Sequence, residues 1–178
     1  MQTVYLIGSP GVGKTTLVKE LTKDWLLADT ASIPVKHLCY TTPFGRAIEL
    51  GHRREPFGGT DTLAYDAINK IEQWLPALEG IDLIIGEGDR LANTRFITLC
   101  KQLGKVHLYH LTTEPETSAQ RRAQRAQEYG TAKQNEAWVK GRASKHENLA
   151  KKHNAVTLTA NLEPAMLARI ILAQIAQG

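Results

Sequence analysis

A chain of 178 residues suits one domain, long enough to bury roughly 70% of the surface that its unfolded form exposes. Its 42% hydrophobic and 22% charged residues are ordinary for a soluble globular protein, and no run is long and apolar enough to span a membrane. The chain opens on a strand pattern rather than a signal peptide, so a cytoplasmic location is expected, and the isolated Cys39 and Cys100 read as buried free thiols rather than a disulfide or zinc site.

Gln2 to Gly8 is nearly all apolar, the pattern of a strand buried on both faces at the centre of a parallel sheet. It runs into Gly8-Ser9-Pro10-Gly11-Val12-Gly13-Lys14-Thr15-Thr16, which fits the G-x-x-x-x-G-K-[ST] phosphate-binding loop between a strand and a helix. Glycines let successive backbone N–H groups turn inward onto phosphate oxygens, and the following helix adds its free N–H groups and positive dipole end. Lys14 supplies a charge for the β- and γ-phosphates, the Thr15 hydroxyl is placed for Mg²⁺, and Thr16 reaches the α-phosphate. The loop therefore points to ATP with Mg²⁺.

Leu17, Val18, Leu21, Trp25 and Ala28 continue at helical spacing, with Trp25 a core residue. Val35 to Tyr40 reads as a second strand. The stretch Thr41 to Thr60, punctuated by Pro43, Gly45, Gly51, Pro56, Gly58 and Gly59, cannot be one regular element, though Gly45 to Leu50 suits a short helix. A helical stripe then runs from Asp61 to Glu79, with Thr60 or Asp61 as its cap and Pro76 positioned to kink or end it. Ile81 to Glu87 is a third strand, Thr94 to Leu103 a helix stopped by Gly104, and Val106 to Leu111 a fourth strand. Helices over Pro115 to about Gly130 and Gln134 to Lys152 precede a fifth strand at Ala155 to Thr159 and a closing helix from Glu163 to Ala176. Such alternation predicts a single α/β domain over residues 1–178: a five-stranded, mostly parallel sheet, helices on both faces, and a basic lid over about 115–152. Right-handed crossovers put the chemistry at the carboxyl ends of the strands.

Three further groups carry chemistry. The third strand ends in Gly86-Glu87-Gly88-Asp89-Arg90; one of Glu87 and Asp89 suits the general base and the other the metal, with Asp89 taken beside Thr15 as the metal pair. Arg46, Arg53, Arg54, Phe57 and Asp61 suit an acceptor pocket, arginines for phosphate and Phe57 for stacking on a base, with Asp61 read as a helix cap ahead of a second catalytic carboxylate. Arg121, Arg122 and Arg125 share helix faces and suit neutralisation of the transferring phosphoryl group. From Arg121 to His153 nine Lys or Arg, Arg142 among them, stand against three acids, a local +6 in a chain of net +4. That segment suits a triphosphate clamp, a nucleic-acid backbone contact, or a plain solvated helix face. His107 and His110 point to opposite faces of a strand, and His146 and His153 share a helix face without a third ligand, so no transition-metal site is expected.

In order along almost the whole chain, the phosphate loop, the acidic end of the third strand, Tyr109 with Pro115-Glu116, and the Arg121–Arg125 group resemble the thymidylate kinase-like nucleoside and nucleotide kinases. Thymidylate kinases usually carry Asp-Arg-Tyr where this chain has Asp89-Arg90-Leu91. The runs Phe57-Gly58-Gly59-Thr60-Asp61-Thr62-Leu63 and Glu87-Gly88-Asp89-Arg90-Leu91-Ala92-Asn93 are similar to bacteriophage P-loop kinases that phosphorylate 5-hydroxymethyluracil in DNA, a step in thymine hypermodification. This resemblance implies a DNA partner tracked by the basic segment, an acceptor hydroxymethyl on a flipped base, and substrate contacts from Arg90 and Arg142. The alternatives are a kinase of a free nucleoside or nucleoside monophosphate, and a P-loop ATPase that switches or binds a partner.

Overall fold

The computed structural model describes residues 1–53, 58–132 and 134–178. Its strands are β1 (Gln2–Ile7), β2 (Leu26–Ala31), β3 (His37–Thr42), β4 (Gly45–Leu50), β5 (Leu83–Glu87), β6 (Lys105–Thr112) and β7 (Val156–Thr159). The helices are α1 (Lys14–Leu21), α2 (Ala67–Trp74), α3 (Thr94–Leu103), α4 (Pro115–Glu128), α5 (Glu136–His153) and α6 (Pro164–Ala176). One sheet takes all seven strands in the order β2-β3-β4-β5-β1-β6-β7. β4, β5, β1, β6 and β7 run parallel, and β3 lies antiparallel between β2 and β4.

The alternating side chains of β1 split the core in two. Val4 and Leu6 pack with Leu17, Val18 and Leu21 of α1 and Leu167 and Ile171 of α6. Tyr5 and Ile7 face the other way, onto Ile71 of α2, Phe96 and Ile97 of α3 and Leu149 of α5. A strand buried on both sides has no polar face to alternate with, which is why its sequence is almost unbroken apolar. Asn93 starts α3 by accepting the Phe96 N–H at 3.0 Å, and Asn135 starts α5 by accepting those of Ala137 and Trp138.

The sheet has seven strands where the sequence led us to expect five. Residues 26–28, expected to prolong the first helix, belong instead to β2. Five of its six residues are exposed, so an edge strand carries little of the apolar signal of an interior one. Gly45–Leu50, expected as a short helix, forms β4 because Pro43-Phe44 closes a hairpin that pairs Thr42 with Gly45. Thr42 Oγ1 braces that turn, accepting the Phe44 N–H and donating to the Gly45 carbonyl, both at 2.9 Å. The long helix expected over Asp61–Glu79 is broken into a 3₁₀ turn at Thr60–Thr62, then α2, then a 3₁₀ turn at Leu75–Ala77 around Pro76. Trp25 is buried against Tyr40 although it lies outside α1. Among the described residues no helix is long and apolar enough to cross a membrane.

Phe96 and Tyr5 meet edge-to-face with ring centroids 5.1 Å apart, both fully buried, and join α3 to the central strand. Phe96→Ala leaves a cavity at that joint and should cost about 3–5 kcal/mol of unfolding free energy, read from the urea midpoint at constant slope.

Candidate active site

The register of β1 on β5 sets Leu6 beside Glu87, so the phosphate loop leaves the sheet next to the carboxylate that ends β5. Gly13 caps α1 at φ 101°, a left-handed conformation that glycine adopts without strain. Gly11 passes beneath α4 so closely that a Cβ there would stand 2.6 Å from the Ser118 carbonyl oxygen. Lys14 Nζ donates to the carbonyls of Gly8 at 2.8 Å and Ser9 at 3.2 Å, leaving one of its three N–H groups for a phosphate oxygen. Burial draws the Lys14 ammonium below its ordinary pKa, against the pull of Glu87, Asp61 and Asp89. A tight glycine cradle with a buried cation at its base fits a triphosphate.

Thr15 Oγ1 donates to Glu87 Oε1 at 2.7 Å. A hydroxyl and a carboxylate at this spacing are the oxygen donors a Mg²⁺ ion takes from a protein that otherwise leaves it to water and phosphate. Glu87 is 5% exposed, and burial raises its carboxyl to about 7, with Lys14 and Thr15 opposing. Asp89, expected beside Thr15 at the metal, turns the other way. Its carboxylate meets Arg142 Nη1 at 2.7 Å, Lys145 Nζ at 2.8 Å and His146 Nε2 at 3.0 Å, so cations already occupy it. Burial pushes the Asp89 carboxyl up, but His146, Lys145 and Arg142 outweigh that and hold it well below the ordinary carboxylate range. His146 is itself buried and places Nδ1 2.8 Å from the Gly8 carbonyl oxygen, tying the loop, the turn after β5 and α5 together. Asp61 caps no helix: its Oδ1 accepts the backbone N–H groups of Asp89 at 2.9 Å and Arg90 at 3.2 Å.

Two cavities meet at the loop. A cleft of about 250 Å³ holds Lys14, Thr15, Asp61, Glu87 and Asp89. Its sides include Tyr65, with the Arg90 guanidinium 3.7 Å from the ring centroid, and Trp138, with that of Arg142 at 5.3 Å. A neighbouring cavity of about 680 Å³ holds Thr16, Arg121, Gln124 and Tyr129 and is closed by the turn after β7. Arg125 lines both. Arg121 Nη1 donates to the Val12 carbonyl at 3.4 Å, whereas Arg122 faces away and braces the Pro10 carbonyl at 3.2 Å. A larger cavity of about 1040 Å³, between α4 and α5 behind the Ser9–Val12 turn, includes none of Lys14, Thr15, Glu87 or Asp89.

The loop residues, Asp61, Glu87, Asp89, Arg90, Arg125 and Arg142 thus converge. Arg46 and Arg53 do not. Arg46 lies at the amino-terminal end of β4, where its backbone N–H donates to Asp82 at 2.9 Å, on the opposite edge of the sheet from the loop. Arg53 is drawn to the buried Glu49 at 2.8 Å, to Thr22 and to the Tyr40 ring, because a buried carboxylate requires a counter-charge. Arg54 and Phe57 lie outside the described residues. Tyr65, Gln134, Trp138, Lys145 and His146 were not anticipated at the site; the one sequence signal was Trp138, Arg142, Lys145 and His146 at helical spacing on a single face.

The P-loop Nucleotide Kinase3 family model matches residues 1–162. The chain belongs to that family. It is a kinase, a phosphotransferase, and no curated protein matches it. Its fold is shared by a gluconokinase from Sinorhizobium meliloti 1021 (13% identity, 99% of this chain and 92% of that one, TM-score 0.55). It is shared also by a sugar kinase from Janibacter sp. HTCC2649 (15% identity, 97% and 93%, TM-score 0.53). A tunicamycin resistance protein of Deinococcus radiodurans is similar to the same extent (17% identity, 98% and 95%, TM-score 0.53).

Because burial raises the Glu87 carboxyl to about 7, between pH 4.5 and that value the unfolded chain ionises Glu87 while the folded one retains its proton. Its contribution is therefore full below its ordinary value of 4.5 and declines as pH rises to about 7, by about 3 kcal/mol in all. Relative to Glu87→Gln, the wild-type protein should lose stability over that interval in urea titrations; parallel pH profiles would contradict the assignment.

Proposed function

We propose that this kinase transfers the γ-phosphoryl group of ATP to the hydroxymethyl oxygen of 5-hydroxymethyluracil carried in DNA. The observation that carries this reading is the small cleft in front of Lys14 and Glu87, flanked by two exposed aromatic rings, Tyr65 and Trp138, each backed by an arginine. Aromatic faces paired with guanidinium groups suit a flat base lifted out of its stack, and the Lys/Arg-rich α4–α5 region beside them suits a nucleic-acid backbone. A cleft of about 250 Å³ is matched to one base better than to a larger acceptor.

In this reading the donor nucleoside occupies the cavity over Thr16 and its triphosphate threads the loop towards Lys14. Mg²⁺, when bound by Thr15 and Glu87, neutralises phosphate charge. Lys14, Arg121 and Arg125 hold the transferring group; the acceptor oxygen bonds to the γ-phosphorus as the bond to the β,γ-bridging oxygen breaks, releasing ADP. The hydroxyl proton passes to a carboxylate of the Asp61, Glu87 and Asp89 group. Water is kept out by α5, which Asp89 and His146 clamp to the loop.

The family's description as a nucleotide kinase favours a free nucleotide as the second reading. The test is transfer of labelled γ-phosphate to DNA containing 5-hydroxymethyluracil, to ordinary DNA, and to free nucleosides and monophosphates. Label on the modified base of DNA alone is expected; label on a free nucleotide selects the second reading, and ATP hydrolysis with no labelled acceptor overturns both. Lys14→Ala should abolish transfer. Tyr65→Ala should raise KM for the DNA acceptor on the order of tenfold, and Lys152→Ala should lower the salt slope of DNA binding by about one.

A further inference from the structure

Among the described residues two buried side-chain polar atoms have no hydrogen-bond partner, Arg90 Nε and Gln134 Oε1. Both residues line the same cleft, the one that contains Lys14, Asp61 and Glu87. They reach it from separate parts of the fold: Arg90 from the turn after β5, Gln134 from the segment that leads into α5. A buried donor and a buried acceptor left open cost free energy unless a ligand completes them. The guanidinium Nε–H is always a donor, and the amide oxygen is always an acceptor. The stack of Arg90 on Tyr65 fixes the plane of its guanidinium group without using its N–H groups.

We infer that Arg90 and Gln134 read the Watson–Crick edge of the acceptor base. This rests on the reading of the acceptor as a uracil in DNA, whose edge carries one donor, N3–H, between two carbonyl oxygens. Gln134 Oε1 accepts the N3–H, and Arg90 Nε–H donates to a neighbouring carbonyl oxygen. The edge is then unavailable to adenine, so the kinase acts on a base whose pair is open: a single strand or a mismatch is phosphorylated faster than a matched duplex. Cytosine offers an unprotonated N3 at the same place and is disfavoured.

The experiment compares wild-type, Gln134→Ala and Gln134→Glu kinase on single-stranded DNA containing 5-hydroxymethyluracil or its N3-methyl derivative. Methylation removes the N3–H and should lower wild-type kcat/KM by roughly ten- to a hundredfold. Gln134→Ala should lose a similar factor on the unmethylated base and almost nothing more on methylation, the non-additivity expected of partners in contact. Gln134→Glu keeps an acceptor oxygen and should restore the sensitivity to methylation. Tolerance of the methyl group by the wild-type enzyme, or additive losses, would overturn the inference while leaving the acceptor reading intact. Absence of label from the unmethylated base with wild-type enzyme would overturn the acceptor reading and this inference together. A matched duplex as good an acceptor as the single strand would count against the open-pair requirement.

Discussion

The site depends on the parallel pairing of β1 with β5. Because Leu6 stands beside Glu87 across that pair, the chain that turns into the phosphate loop and the chain that turns out of β5 leave the sheet as neighbours at its carboxyl edge. The Thr15–Glu87 hydrogen bond follows from that adjacency and from the start of α1 at Lys14. Burial raises the Glu87 carboxyl while Lys14 and Thr15 oppose that rise, and Glu87 in turn opposes the drop that burial imposes on Lys14. The β1–β5 register therefore sets side by side two groups each of which favours the other's ionised form.

Helix α5 enters the site through charge. Arg142, Lys145 and His146 of α5 converge on Asp89, and His146 reaches on to the backbone of Gly8. An exposed ion pair contributes little, but three donors on one half-buried carboxylate, one of them a buried imidazole, form a network whose members restrict one another. The network fixes Trp138 and Arg142 as one wall of the cleft in front of Glu87 while Asp61 fixes Arg90 and with it the opposite wall. Both walls are thus anchored to the turn after β5, so the carboxylates, the aromatic rings and the loop share one frame.

Two cavities share this frame. The cavity that reaches Gln124 and Tyr129 and the cleft in front of Glu87 meet along Gly11, Gly13, Thr15 and Thr16, with Arg125 on the wall of both. Phosphoryl transfer requires cations where charge develops, and Arg125 at the junction of the two cavities is placed to meet that requirement under the proposed function.

The sequence by itself determined what is local or strongly patterned. The phosphate loop needs glycines and a lysine at fixed intervals along one short stretch, and β1 and β5 carry apolar runs because central strands are buried on both faces. The stops at Gly104 and Pro76 act through single residues, so they too were legible. The tertiary structure alone decided the rest. β2 and β4 are strands because of partners that their own residues do not announce. Arg46 and Arg53 look alike in sequence to arginines of a phosphate site, yet the direction of β4 sends one to the wrong edge of the sheet and the buried Glu49 captures the other. Glu87 rather than Asp89 faces Thr15 because Glu87 ends β5 beside Leu6 of β1, whereas Asp89 lies in the turn beyond the strand, its backbone held by Asp61 and its carboxylate by Arg142, Lys145 and His146. His146 lies 138 residues from Gly8 in the chain and touches it in space; no local pattern encodes such a contact, because it exists only once the sheet has brought the ends of β1, β5 and α5 together.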